Sequence, residues 1–291
     1  LQPLFDTRLL IARKRRALSR PVAGADFLLA RAAEELADRL ATVERRFENA
    51  VAAFCVTPAA RDAMLASGKA AKVQRIEADA AFLGEDDGQV AEPEILPLEP
   101  ESADLIVSLL ALQEVNDVPG MLVQIRRALK PDGLFLAAMA GADTLTELRE
   151  SLLAAETELS GGVSPRVSPF TDVRDAGALL QRAGFALPVA DIDTVTVRYD
   201  HMFALIRDLR AMGATNALTD RSRRPASRAL FARAAQIYAE RFSDPDGRVR
   251  ATFSFVWLSG WAPHASQQKP LKPGSAQVSL AKILDEDKGK G

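Results

Sequence analysis

The sequence predicts an α/β protein whose core is a mostly parallel sheet with helices on both faces. Three observations carry this. Ala50 to Val56, Asp104 to Leu110 and Gly133 to Met139 are short apolar runs without polar alternation, as strands buried on both faces require. Amphipathic segments of helical period separate them, as in Val118 to Leu129. Turn chemistry punctuates the pattern, most clearly Lys130-Pro131-Asp132-Gly133 ahead of the third run.

Leu4 to Leu18 places Leu4, Phe5, Leu9, Leu10 and Ala17 on one side of a helix, with Arg8, Arg13, Lys14 and Arg16 elsewhere, a pattern that reads as a solvated basic face. Asp26 to Val43 is a second helix with Asp26 as its N-cap. The first strand, Ala50 to Val56, leads into a helix over Pro58 to Ala66 that starts on proline. Lys72 to Ile76 is the second strand, and the acidic stretch Gly84 to Glu94 reads as a loose loop. After Met139 the sequence predicts a helix over Thr144 to Leu159, a loop to Phe170, and a helix over Thr171 to Ala183 closed by Gly184. A period-2 strand over Val189 to Val197, a helical stretch over Met202 to Phe242 and a last strand over Ala251 to Trp261 complete the pattern.

With 291 residues, 48% of them hydrophobic, the chain can bury a substantial core. A net charge of −2 argues against nucleic-acid binding through a global positive field. One cysteine, Cys55, leaves no internal disulfide, and two histidines make an all-protein zinc site improbable. No apolar run reaches bilayer length. The Arg-rich start carries Asp6 and reads as part of the mature protein, so cytoplasmic residence is expected.

Beyond this pattern, Leu96 to Asp117 (LPLEPESADLIVSLLALQEVND) and Leu129 to Met139 (LKPDGLFLAAM) resemble the class I S-adenosylmethionine methyltransferase sheet. LFDTRLL at Leu4, GADTLTELRESLLAAETE at Gly141, SPRVSPFTDVRDAGALLQRAGF at Ser164, MFALIRDLRAMGATNA at Met202, GWAPHASQQKP at Gly260 and GSAQVSL at Gly274 sharpen the resemblance. They are similar to the mitochondrial respiratory complex I assembly factors of methyltransferase fold and their bacterial relatives. The resemblance implies a Rossmann-like sheet of seven strands, the last antiparallel, with helical insertions at 143–170 and 201–247. Together with the residue pattern it divides the chain into an N-terminal helical segment at 1–48, a methyltransferase-like domain at 49–265 and a Lys-, Pro- and Asp-rich tail at 266–291 expected to be partly mobile. Its implied partner is a protein, a complex I subunit, with peripheral membrane association through it. The superfamily branch is also similar to the malonyl-carrier-protein O-methyltransferase of biotin synthesis.

In active relatives the first strand ends in Asp-hydrophobic-Gly-x-Gly-x-Gly, matched here by Ala52 to Pro58, and no glycine occurs between Gly24 and Gly68. Glycine serves such a turn by reaching positive φ and baring the backbone, and Phe54, Val56 and Pro58 are expected to remove that freedom. What remains at the turn is Cys55 and a helix start capped by Thr57. Glu77 lies about twenty residues after the turn, the separation of a ribose-binding acid, with Asp79 nearby. The resemblance implies that Leu110 and Gln113 face the methyl-donor end, whereas Glu114 stands where relatives often carry an aromatic.

On the substrate side, Asp143, Glu147 and Arg149 fall in the first turns of one helix, where spacing of two to four residues brings two onto a shared face. Asp143 also reads as an N-cap. Arg166 lies in a loop able to close over a groove, and Tyr199, Trp261 and His264 lie near the ends of the last strands. Three functions compete: a protein-modifying enzyme with a residual S-adenosylmethionine pocket, a cofactor-independent assembly factor on the same fold, and a carrier-protein methyltransferase.

Overall fold

A computed structural model describes residues 2–267; the GSAQVSL segment and nearly all of the expected tail lie outside the described residues. Helices α1 (Thr7–Ser19) and α2 (Phe27–Ala41) precede the sheet. Then follow β1 (Phe47–Ala53), α3 (Ala59–Ala66), β2 (Ala70–Glu77), α4 (Ala80–Leu83), β3 (Gly88–Val90) and β4 (Ala103–Leu109). The second half comprises α5 (Val118–Ala128), β5 (Leu129–Ala140), α6 (Thr146–Ser160), α7 (Val173–Arg182), β6 (Ala186–Tyr199), α8 (Met202–Ala211), α9 (Arg228–Phe242) and β7 (Val249–Trp261).

The seven strands are ordered β3-β2-β1-β4-β5-β7-β6. All neighbours are parallel except β7, which runs antiparallel to both β5 and β6. The uninterrupted apolar runs have the predicted reason: successive residues are buried in opposite cores. Leu105, Val107, Leu134 and Leu136 pack beneath α2, α3, α6, α8 and α9. Ile106, Phe135 and Ala137 pack against α5 and α7. Where only one face is buried, as along β6, exposure alternates residue by residue.

Two expectations change. The acidic stretch after β2 is not a plain loop, because β3 adds a parallel edge to β2 through the Arg75–Gly88 register. Three exposed residues carry too little apolar signal to be read as a strand. The helical stretch from Met202 divides into α8 and α9, with α8 ending near Gly213 at φ +75°, the left-handed geometry of a helix stop.

Helix α1 lies across the carboxyl ends of the strands and is tied there at several points. Asp6 caps it through Leu9 N–H at 3.1 Å, and Asn116 Oδ1 accepts Phe5 N–H at 2.8 Å. Phe5 bridges Leu218, Lys14 pairs with Glu114, and Arg15 reaches Asp79 at 3.4 Å.

Candidate functional site

A cavity of about 1050 Å³ opens at the carboxyl ends of β1, β4 and β5, between the sheet and α1. This is where open α/β sheets bind ligands. Its floor comes from Cys55, Val56, Thr57, Leu109, Leu110 and Gln113, and its far side from α6, α8 and the start of β7.

The turn after β1 does not behave as its residues suggest. Phe54 sits at φ +58° and Val56 at φ +65°, so both adopt the left-handed geometry they were expected to forbid. Two of the three glycine positions thus keep positive φ with side chains added, while Pro58 lies at φ −72°. Leu110 at +52° and Leu145 at +57° are also left-handed, and with Val56 they border the cavity. Each such non-glycine residue stores roughly 1–3 kcal/mol, held by its surroundings.

What holds Val56 is Glu77. Its Oε2 accepts the Val56 N–H at 3.0 Å, and its Oε1 accepts from Arg75 Nη2 at 2.9 Å. Arg75 is itself fully buried and donates further to Phe82 O, Leu83 O and Asp86. Burial raises the Glu77 carboxyl to about 7, against the pull of the Val56 N–H and Arg75. Glu77 is 0% exposed and absent from the cavity wall. It therefore does not fit the role of an acid that meets ribose hydroxyls in the cavity. Asp79 is spent likewise, capping α4 through Ala81 N–H at 2.9 Å and facing Arg15.

Cys55, Thr57, Leu110 and Gln113 do line the cavity. Cys55 is buried, and burial followed by the Glu77 charge pushes its thiol up to about 12. Thr57 stands outside the helix: α3 is capped at Pro58, and Thr57 Oγ1 meets Ala59 N only at 3.4 Å. Gln113 spends its amide on backbone, donating to Leu110 O at 2.6 Å and accepting from Ala140 N at 3.4 Å.

The substrate-side candidates are not brought together. Asp143 is exposed and does not cap α6, whose N-cap is the left-handed Leu145. That residue also breaks the helical spacing, so Asp143 and Glu147 share no face. Glu147 turns into the protein, accepting Thr252 N–H at 3.1 Å and Thr252 Oγ1–H at 2.5 Å. Arg149 donates to Thr144 O and Ser168 O, fastening the loop before α7. Arg166 alone of this group borders the cavity, neutralised by Glu156 at 2.5 Å.

Tyr199 is buried off the cavity, its hydroxyl without a hydrogen-bond partner among the described residues. Trp261 pairs with Leu134 and Ala186, which places it at the opposite end of the sheet. His264 follows it there, exposed and bonded to Ser266 Oγ at 2.7 Å. The cavity residues that sequence reasoning missed belong to α1: Arg13 and Lys14 sit on the wall. Their signal was present as the run Arg13-Lys14-Arg15-Arg16, but a solvated face is the commoner reason for such a run.

A family model described as "Methyltransferase domain" matches residues 39–137. The arginine-hydroxylase NDUFAF5, mitochondrial, of Dictyostelium discoideum is 46% identical over 193 residues, covering 66% of this chain and 44% of that protein. The malonyl-[acyl-carrier protein] O-methyltransferase of Laribacter hongkongensis is 36% identical over 216 residues, covering 74% of this chain and 67% of that protein. Among solved structures, the protein BH2331 of Bacillus halodurans C-125 superposes with a TM-score of 0.55 at 12% identity, covering 80% of this chain and 99% of that one.

The chain belongs to the class I S-adenosylmethionine-dependent methyltransferase superfamily. It is similar to both arginine hydroxylases and malonyl-carrier-protein methyltransferases within that superfamily, and it spans 44% to 60% of the length of the first two arginine hydroxylases. Its sheet order and the antiparallel β7 are those expected of a methyltransferase fold. The expected cytoplasmic residence is corrected by the same comparison, because the arginine-hydroxylase relatives are named mitochondrial.

Proposed function

We propose that this methyltransferase-fold protein acts on a protein substrate in respiratory complex I assembly, with S-adenosylmethionine binding weakened or lost. The observation that carries the reading is the closed network at the first turn. Glu77 holds Val56 N–H and Arg75 and is fully buried, while Phe54 and Val56 put side chains where the superfamily turn is bare. The similarity to proteins named arginine hydroxylases directs the reading towards a protein substrate.

A second reading has its own support. The cavity is of ligand size and reaches Val56, Thr57, Leu110 and Gln113, and a malonyl-carrier-protein methyltransferase is 36% identical. Under that reading the chain is an active methyltransferase with an atypical pocket.

Isothermal titration with S-adenosylmethionine separates the two. The proposal expects no heat up to millimolar ligand, together with recovery of respiratory-chain subunits on pull-down from membranes. Saturable binding at micromolar affinity would instead overturn the loss of S-adenosylmethionine binding and favour the second reading.

A further inference from the structure

The cavity wall has two chemistries that the methyl-donor question does not use. Its interior is apolar, with Leu29, Leu148, Leu152, Ile206, Phe253 and Phe255 contributing. Its charged border is cationic: Arg13, Lys14, Arg16, Arg166 and Arg210 stand against Asp26 and Glu114. Two of those cations are cancelled locally, Lys14 by Glu114 and Arg166 by Glu156. Arg16 and Arg210 are exposed and form no ion pair among the described residues. Arg13 spends one nitrogen, Nη1, on the Thr215 and Asn216 carbonyls. Burial, then the like charge of Arg221, lower its pKa against the opposite charge of Asp6, and the unpaired Arg16 and Arg210 leave the border with an excess of positive charge.

We propose that this cavity binds an amphipathic anion, an alkyl chain ending in a carboxylate, with the chain in the apolar interior and the head at Arg13, Arg16 and Arg210. Neither half of the wall alone selects this ligand. An apolar interior accepts any hydrocarbon, and a cationic border attracts any anion, but together they favour a carboxylate over the matching alcohol and reject the matching ammonium. The proposal shares a cavity with the function proposed above but not its chemistry, so the S-adenosylmethionine titration and the one below succeed or fail separately.

The test is calorimetric titration of the full chain, below micelle concentration, with dodecanoate, decanoate, dodecanol and dodecyltrimethylammonium. The expected result is saturable one-to-one binding of dodecanoate, at least about ten-fold tighter than dodecanol, with no binding of the ammonium. Shortening to decanoate should weaken binding roughly 15-fold, the loss of two buried methylenes. Arg16→Ala with Arg210→Ala, both at exposed positions, should bring dodecanoate to within a few-fold of dodecanol. Leu148→Trp should abolish binding while the protein still melts cooperatively; if that variant does not fold, the arginine pair and the chain-length series decide. No dodecanoate binding, equal binding of acid and alcohol, indifference to chain length, or full binding by the arginine variant would each overturn the proposal.

Discussion

Glu77 Oε2 accepts the Val56 N–H at 3.0 Å, so a fully buried carboxylate clamps a β-branched residue in the left-handed region at the end of the first strand. The acid and the turn that would meet a nucleoside from two sides are bonded to each other instead. Arg75, buried beneath them, neutralises the carboxylate and ties it to α4 through Phe82 O at 2.8 Å.

This clamp has a pH signature. Burial raises the Glu77 carboxyl from 4.5 to about 7. Between those values the native state binds more protons than the unfolded chain, so stability falls as pH rises through the window, by at most about 3 kcal/mol, and this contribution is constant above it. Urea melts at about pH 5 and about pH 8 should show that loss, and Glu77→Gln, which cannot ionise, should flatten it. An identical slope in wild type and variant would remove Glu77 as its source.

Val56→Gly should be tolerated to an unusual degree. The substitution relieves roughly 1–3 kcal/mol of left-handed strain, which offsets the lost apolar contact and the greater freedom of glycine in the unfolded chain. The expected change is between no effect and about 1 kcal/mol of stabilisation. Val51→Gly, in the middle of β1 and buried, should cost more than about 2 kcal/mol. Equal losses in the two variants would mean that Val56 carries no strain.

Cys55 should be inert despite facing the cavity. With its thiol pushed up to about 12 by burial and the Glu77 charge, almost no thiolate exists near neutrality. A thiol reagent should leave the native protein unlabelled and modify one cysteine completely after denaturation. Rapid native labelling would show that the strand end opens to solvent.

Glu147 should act on stability and Asp143 on nothing measurable. Glu147→Ala leaves the Thr252 N–H without its buried acceptor and should cost roughly 1–3 kcal/mol in a thermal melt. Asp143→Ala, at an exposed position outside the α6 cap, should stay within about 0.5 kcal/mol. A destabilising Asp143 variant would restore the capping role expected from its sequence position.

The sequence by itself determined the sheet, because its evidence is local. An apolar run such as Asp104 to Leu110 must be a strand covered on both faces, and Lys130 to Gly133 must turn into another. Cys55 and Thr57 were placed at the turn after the first strand by the same local pattern, whereas Leu110 and Gln113 were picked out by the family resemblance; all four line the cavity. The tertiary structure alone decided which charged and aromatic groups reach that cavity. Antiparallel pairing carries Trp261 and His264 to the far end of the sheet, a consequence of register between segments more than 120 residues apart for Leu134 and Trp261. Hydrogen bonds between distant segments withdraw Glu77 and Glu147 into the interior, and the docking of α1 brings Arg13 and Lys14 onto the wall. A buried charge takes whichever partner lies within bonding distance, and that distance is set by the folded chain rather than by residue spacing.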